Sequence, residues 1–375
     1  MSKPPNFILI SILAIGFFLS VSCAPKTVSS EERTGSTTPL PTPTPVKATS
    51  DDSLTIAAVG DIMLGSTSIN DTFLPPNDGA DMLKEVTPIL SAADIAFGNL
   101  EGPMLEGGKT EKCPPGSTRC FAFRVPTRYG KLLKDAGFDI LSLANNHAAD
   151  FGDEGRESTR KTLDALGIKH AGSDKGQFAM TVVESKGKRI AFIGFAHNNL
   201  VPNVNDLVFA KQLVGQANKK ADLVVVSFHG GAEGVAAQRV PQTTEMLGTE
   251  KRGNLPLFAR TVIDAGADLV LGHGPHVLRG MEIYKDRLIA YSMGNFATYG
   301  MFNLKAETGL TAIFEIKIAA DGKFLSGRLH AAKQLGRGGP TLDKTGEAIR
   351  KVRELSIADF AGNAPKIADD GSFTK

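Results

Sequence analysis

The sequence predicts an α/β protein, and three observations carry that expectation. Short apolar runs of strand length recur along the chain and alternate with stretches of helical periodicity. Many of these runs, Phe138 to Ala144 being the clearest, read as fully buried parallel strands. Run after run ends in Gly, Asn, Asp or His, at the carboxyl ends of strands where open α/β sheets bind ligands.

In chain order, Leu54 to Val59 reads as a strand ending at Gly60-Asp61, and Met82 to Leu90 as a helix. Ile95 to Phe97 is a short strand ending at Gly98-Asn99-Leu100-Glu101, followed by a long loop from Pro103 to Val125. A helix over Arg128 to Ala136 leads into the strand that ends at Asn145-Asn146-His147. Gly155 to Leu166 is again helical. Met180 to Glu184 and Arg189 to Phe195 form a hairpin through Lys186-Gly187-Lys188. Leu207 to Asn218 is a helix, and Leu223 to Phe228 a buried strand ending at His229-Gly230-Gly231-Ala232-Glu233. Leu255 to Ala265 is a helix, and Leu269 to Leu271 a strand ending at Gly272-His273-Gly274-Pro275-His276. Leu288 to Ser292 precedes Gly294-Asn295-Phe296, and a second hairpin joins Leu310 to Ile318 and Phe324 to Ala332 across Asp321-Gly322. From Gly336 the chain reads as a polar tail with one helix over Asp343 to Leu355.

The first 53 residues have a different character. Lys3 followed by an apolar stretch from Phe7 to Val21 has the length of a signal peptide and is short for a membrane span. The stretch ends at Leu19-Ser20-Val21-Ser22-Cys23, which resembles a bacterial lipobox with Ser20 where Leu is usual. That pattern predicts a lipid on Cys23 and an envelope protein anchored outside the cytoplasm. Ordinary cleavage, giving a secreted or periplasmic protein, and an uncleaved anchor are the other readings. Ala24 to Ser53, rich in Ser, Thr and Pro, cannot bury a core and reads as an extended tether. The expected organisation is therefore a signal segment (1–23), a tether (24–53), a globular domain (54–335) and a polar tail (336–375).

Of the three cysteines, Cys113 and Cys120 remain after Cys23. Outside the cytoplasm they read as a disulfide closing a small loop, and no second Cys/His pair lies nearby to complete a zinc site. The balance of 42 basic and 40 acidic residues, net +2, gives no reason to expect a nucleic-acid partner.

Asp61, Glu101, Asn146 with His147, His229, and His273 with His276 each stand just beyond an apolar run. One such residue is ordinary; several on one edge point to a site. Carboxylate, amide oxygen and imidazole together suit divalent manganese, iron or zinc.

The motifs Gly60-Asp61, Asn99-Leu100-Glu101, Ala144-Asn145-Asn146-His147, His229-Gly230-Gly231-Ala232-Glu233, Gly272-His273-Gly274-Pro275-His276 and Tyr291-Ser292-Met293-Gly294-Asn295-Phe296 look like those of the CapA family of bacterial poly-gamma-glutamate capsule biosynthesis proteins. That family resembles the calcineurin-like metallophosphoesterases, so the resemblance implies a two-sheet α/β/β/α sandwich over roughly Leu54 to Ala332. It implies two divalent metal ions held by Asp61, Glu101, Asn146, His229, His273 and His276, with Glu101 bridging. It implies His147 as general acid, Glu233 as the partner that orients His229, and Asn99 and Asn145 as supports of the ligands. Arg124 and Arg128 are weaker candidates for holding an anionic substrate. The implied function is metal-dependent hydrolysis of a phosphoester, or of an amide in an acidic capsule polymer, alongside other capsule-synthesis proteins. A non-catalytic module for assembling, exporting or tethering the polymer is the rival. Two departures bear on the metal positions: Met63 stands where calcineurin-like enzymes carry the His of Asp-x-His, and Gly-Pro separates His273 from His276 where they carry His-x-His.

Overall fold

Side chains alternate between two apolar faces along nearly every strand, and this alternation sorts the fold into four layers. The computed structural model describes residues 52–68, 73–110, 112–113, 120–336 and 338–375. The signal segment, Cys23 and the tether up to residue 51 lie outside the described residues. Among those described, no helix is long and apolar enough to cross a membrane.

The first half of the chain runs β1 (Leu54–Met63), α1 (Thr87–Leu90), β2 (Ile95–Leu100), α2 (Gly130–Asp135), β3 (Ile140–Ser142), α3 (Gly152–Ala165) and β4 (Lys169–Ala171). The middle runs β5 (Met180–Ser185), β6 (Lys188–Ala196), α4 (Leu207–Ala217), β7 (Leu223–His229), β8 (Glu245–Leu247), β9 (Glu250–Gly253), α5 (Leu255–Asp264), β10 (Leu269–His273), β11 (Met281–Tyr284) and β12 (Arg287–Ala290). Then follow β13 (Asn295–Thr298), β14 (Leu310–Ile318), β15 (Phe324–Gln334), β16 (Pro340–Leu342), α6 (Glu347–Phe360), β17 (Lys366–Ile367) and β18 (Ser372–Thr374).

The larger sheet has the order β17-β18-β15-β14-β1-β2-β3-β4, with β13 on β1 and β16 on β15. The smaller has the order β11-β12-β10-β7-β6-β5. Ile56, Phe97 and Phe314 of the first sheet share one core with Phe192, Val225 and Leu271 of the second, and Phe97 stacks on Phe192 at 5.6 Å. The intervening residues face outward. Ala57, Ala96 and Leu141 pack with Leu90, Leu133 and Leu163 of α1, α2 and α3. Val224, Val226 and Val270 pack with Leu213, Phe258 and Val262 of α4 and α5. Period-two alternation with both faces apolar is the signature of strands covered on both sides. The chain is thus the expected α/β/β/α sandwich.

Local chemistry sets the helix starts. Asp206 caps α4 by accepting from Phe209 N at 3.0 Å, and Asn254 caps α5 by accepting from Leu257 N at 3.1 Å. The helix expected over Met82 to Leu90 shrinks to Thr87–Leu90, with turns before it. Pro88 is the reason: it has no N–H to bond the carbonyl of Lys84, and a proline is tolerated only in the first turn, where α1 begins. Both predicted hairpins are present, β5–β6 and β14–β15, with Gly187 at φ 71° and Gly322 at φ 79°.

The C-terminal segment is not a polar tail. Ala348, Ile349 and Val352 of α6 join the core between the sheets, and β18 adds to the larger sheet beside β15. Arg350, Arg353 and Glu354, on the other faces of α6, give that segment its polar composition.

Candidate metal centre

Parallel register assembles the site. Asp61 on β1 pairs with Asn99 on β2 on one side and with Asn295 on β13 on the other. His229 and His273 are register partners at the ends of β7 and β10. Each pairing places two strand ends side by side. The backbone must come close to do this: Asp61 N donates to Gly294 O at 2.9 Å, and a Cβ on Gly60 would lie 1.9 Å from that oxygen. Only glycine fits at 60.

Glu101 lies at the centre and is fully buried. Its Oε1 has three imidazole nitrogens around it: His276 Nε2 at 3.6 Å, His229 Nε2 at 3.8 Å and His147 Nε2 at 4.0 Å. Asp61 Oδ2 lies 3.0 Å from His276 Nδ1, and Asp61 Oδ1 lies 3.4 Å from His273 Nδ1. Ligand atoms of Asp61, Glu101 and His276 lie within 4.8 Å of one another. Asn99 and Asn145 brace the cluster: Asn99 Nδ2 donates to Asp61 Oδ1 at 2.8 Å, Asn145 Nδ2 donates to Asn99 Oδ1 at 3.1 Å, and Asn145 Oδ1 accepts from His147 N at 3.0 Å.

The donor set fits a divalent cation. Six of the fifteen buried side-chain polar atoms without a hydrogen-bond partner among the described residues fall here: Asp61 Oδ2, both Glu101 oxygens, His229 Nε2 and both His273 nitrogens; Asn146 Oδ1, whose residue precedes His147, is also unpartnered. Folded proteins pair nearly all such atoms, so this convergence of unpartnered oxygens and imidazole nitrogens calls for a ligand that takes lone pairs.

Electrostatics point the same way. Burial raises a carboxyl, yet His273 and His276 outweigh it at Asp61 and hold that group far below the usual range. Burial, opposed by His276 and reinforced by Asp61, pushes Glu101 up to about 8. Burial lowers His276, but the carboxylates of Glu101 and Asp61 more than reverse it, to about 10. Burial holds His229 well below its ordinary value.

His147 stands apart in its partners. Its Nδ1 lies 2.7 Å from Asp150 Oδ2, which fixes the ring with Nε2 toward Glu101. Lys112 Nζ is 2.5 Å from Asp150 Oδ1 and 3.1 Å from His147 Nδ1. Burial lowers the His147 pKa, against the pull of Asp150. Lys112 precedes the Cys113–Cys120 disulfide, which is formed.

Three expected roles are not met. Glu233 does not orient His229; its carboxylate pairs with Arg252. Arg252 is fully buried and also holds Gly231 O at 3.0 Å and His197 Nε2 at 2.8 Å, so it captures Glu233 before His229 can. Arg124 spends its guanidinium on the carbonyls of Thr67, Gly107 and Gly108 and lies over the Phe151 ring at 5.0 Å, which pins the long loop. Arg128 pairs with Asp78 at 2.6 Å on the surface. Neither arginine reaches the cluster.

Asn295 was not singled out by sequence reasoning. Its Oδ1 lies 3.1 Å from His276 Nδ1, and its Nδ2 donates to His276 O at 3.2 Å. The Gly-Asn-Phe step after an apolar run was the available signal.

Comparison with known proteins adds the lineage. The family profile described as "Bacterial capsule synthesis protein PGA_cap" matches residues 55–299. The chain is 32% identical over 267 residues to the "PGA biosynthesis protein CapA" of Bacillus subtilis (strain 168), covering 67% of this chain and 65% of that protein. It is 30% identical over 270 residues to the "Capsule biosynthesis protein CapA" of Bacillus anthracis, covering 67% of this chain and 61% of that one. The matches therefore span less than two thirds of these relatives' own length. Among solved structures, a phosphatase of Mycoplasma pneumoniae aligns with TM-score 0.46 at 12% identity over 74% of this chain and 93% of that one. A purple acid phosphatase of Lupinus luteus aligns with TM-score 0.37 at 10% identity over 82% and 56%. The profile match begins just inside β1 and runs through β13, taking in every strand end that supplies the cluster, and on it the chain belongs to the PGA_cap family of bacterial capsule synthesis proteins.

Proposed function

We propose that the chain is a metal-dependent hydrolase of the cell envelope that cuts a phosphoester, or an amide of an acidic polymer, during synthesis of poly-gamma-glutamate or a similar capsule polymer. The capsule role rests on the family and on the names its relatives carry. Anchoring through a lipid on Cys23 rests on the lipobox-like end of the apolar stretch.

Asp61, Glu101, Asn146, His229, His273 and His276 would hold the metal, two ions in the fullest reading. When bound, a divalent cation there would polarise the scissile group and acidify the attacking water. Asn99 and Asn145 keep the carboxylates in place. Asp150 holds His147 by Nδ1, and Lys112 offsets the charge of Asp150. Substrate with an anionic group raises the proton affinity of His147, and Nε2 passes that proton to the leaving oxygen.

His147 carries the proposal. A site that only binds metal has no use for a buried imidazole fixed by its own carboxylate and turned toward the cluster. The rival reading, a non-catalytic binding module, draws on the apolar Met63 beside Asp61. Elemental analysis of the purified full chain, coupled to a screen of phosphomonoesters, phosphodiesters and glutamyl amides, separates the two. Bound metal with turnover supports the hydrolase. Bound metal with no turnover, and capsule function retained in cells by His147→Ala, overturns the hydrolase in favour of the module. No bound metal overturns both.

A further inference from the structure

A cavity of about 430 Å³ opens directly onto the cluster, with His147, His276 and Asn295 among its walls. Two aromatic rings arch across it. Phe123 packs on His147 at 4.2 Å, Phe302 packs edge-on against His276 at 5.2 Å, and the two phenyl rings meet at 5.3 Å. The arch thus joins the proposed proton donor to a proposed metal ligand. Toward solvent, Phe121 and Val235 extend the apolar wall and stay about half exposed, at 49% and 46%. Large apolar side chains left exposed around a polar centre mark a ligand surface.

The charge of the wall matters as much. Its acidic residue, Glu233, is neutralised by the buried Arg252. Among the described residues that line the cavity none is Lys or Arg. Arg124 is spent on loop carbonyls and Arg128 on Asp78. An acidic polymer lying here would place carboxylates against phenyl rings and beside a glutamate already held by Arg252.

We propose that this cavity seats an uncharged aryl substituent of a phosphoester whose anionic group lies at the cluster, and that Phe123 and Phe302 select it. The inference rests on the hydrolase reading and narrows it, since it takes the acidic polymer out of the cavity and leaves a phosphoester with an apolar leaving group. Ring-to-ring contact and burial of an apolar face supply the preference.

Isothermal titration of the metal-loaded full chain with phenylphosphonate and methylphosphonate, neither of which can be hydrolysed, tests it. The expected phenyl-to-methyl affinity ratio is roughly tenfold or more in the wild type, which corresponds to ~1.4 kcal/mol. It falls to about one in Phe302→Ala, a partly exposed position where truncation spares the core. Phe123→Ala, at a buried position, should follow if it folds. An oligomer of γ-linked glutamate should not displace phenylphosphonate. A ratio near one in the wild type, an unchanged ratio in Phe302→Ala, or displacement by the glutamate oligomer overturns the inference. Aryl preference in binding with no ester cleaved keeps the inference and overturns the hydrolase reading. Equal cleavage of phenyl and methyl phosphates with equal phosphonate affinities does the reverse. A chain that binds neither metal nor phosphonate overturns both.

Discussion

Glu101→Gln should stabilise the chelated protein and abolish its response to metal. Glu101 is fully buried, and neither oxygen has a hydrogen-bond partner among the described residues. Burial pushes the group from 4.5 to about 8. At pH 7 the unfolded chain releases this proton and the folded chain keeps it. At ~1.36 kcal/mol per pH unit, holding the proton from 4.5 to 7 costs the folded state about 3 kcal/mol. Glutamine has the same shape and no proton to hold, but its amide N–H groups need acceptors, an unmade hydrogen bond being worth roughly 1–3 kcal/mol. At pH 7 a net gain of up to about 2 kcal/mol remains, which raises Tm by up to about 4 °C for a domain of this size. The pH dependence has a definite sign. A carboxyl raised in the folded state contributes its full stability below 4.5 and loses it as pH climbs through about 8. Near pH 4.5 only the amide's cost remains and Glu101→Gln is the less stable form, whereas its advantage is largest near pH 8. With a divalent metal in excess the order reverses, because binding to the folded state adds stability that the amide cannot match. Thermal unfolding by circular dichroism at pH 5 and pH 7.5, with chelator and with manganese, reads all four conditions. A chelated variant less stable than wild type at pH 7.5, or one that gains as much from metal, would refute the reasoning.

His229→Ala and His276→Ala should lose bound metal by elemental analysis, whereas His147→Ala keeps it and loses ~10²–10⁴-fold in turnover. If His147→Ala sheds metal too, it is a ligand and the division of roles is wrong. Cys113 and Cys120 should resist alkylation until reduced, and replacing both with Ser should cost on the order of 2–3 kcal/mol in unfolding free energy; free thiols in the native protein would contradict this. Cys23→Ala should move the protein out of the membrane fraction or block its processing, and unchanged fractionation and processing would end the lipid-anchor proposal. Arg124→Ala should lower Tm through the loop carbonyls it releases while leaving KM in place. A raised KM without loss of stability would restore Arg124 as a substrate ligand.

Strand ends were the most legible feature of the sequence, because a ligand residue just beyond an apolar run needs only local information to be noticed. Asp61, Glu101, Asn146, His147, His229, His273 and His276 were all visible in this way; parallel register sets the strand ends side by side, and Glu101 meets His147, His229 and His276 there while Asp61 meets His273 and His276. The hairpins at Lys186-Gly187 and Asp321-Gly322 were equally local, because the glycines sit at positive φ. Non-local partnerships were not legible. Whether Glu233 meets His229 or Arg252 depends on β9, 19 residues away. Whether Arg124 faces substrate or its own loop depends on carbonyls of Gly107 and Gly108 that carry no sequence signal. The three-residue strands β4, β8, β16 and β18 are too short for period-two alternation to register alone. The C-terminal segment misled because α6 buries one face only, so polar residues dominate its composition.

The two departures at Met63 and at Gly274-Pro275 are best understood together. Met63 is buried near the end of β1 and brings no nitrogen toward Asp61. The extra residue between the last two histidines changes what His276 can do. Gly274 turns at φ 110°, a conformation suited to glycine, and a Cβ there would lie 2.7 Å from Gly230 O. His276 then adopts φ 58°, an uncommon conformation for a residue with a side chain, and one that needs support from its surroundings. Asn295 provides that support by holding both the ring and the carbonyl of His276. The result is an imidazole whose Nδ1 lies 3.0 Å from Asp61 and whose Nε2 lies 3.6 Å from Glu101. His276 therefore sets a ring nitrogen beside Asp61, where Met63 offers none. Asn295 is the register partner of Asp61 on β13, so one strand pairing fixes the carboxylate and the prop for its imidazole at once. Removing the prop should loosen His276 at both carboxylates, which makes Asn295 as much a part of this centre as the ligands that the sequence displays openly.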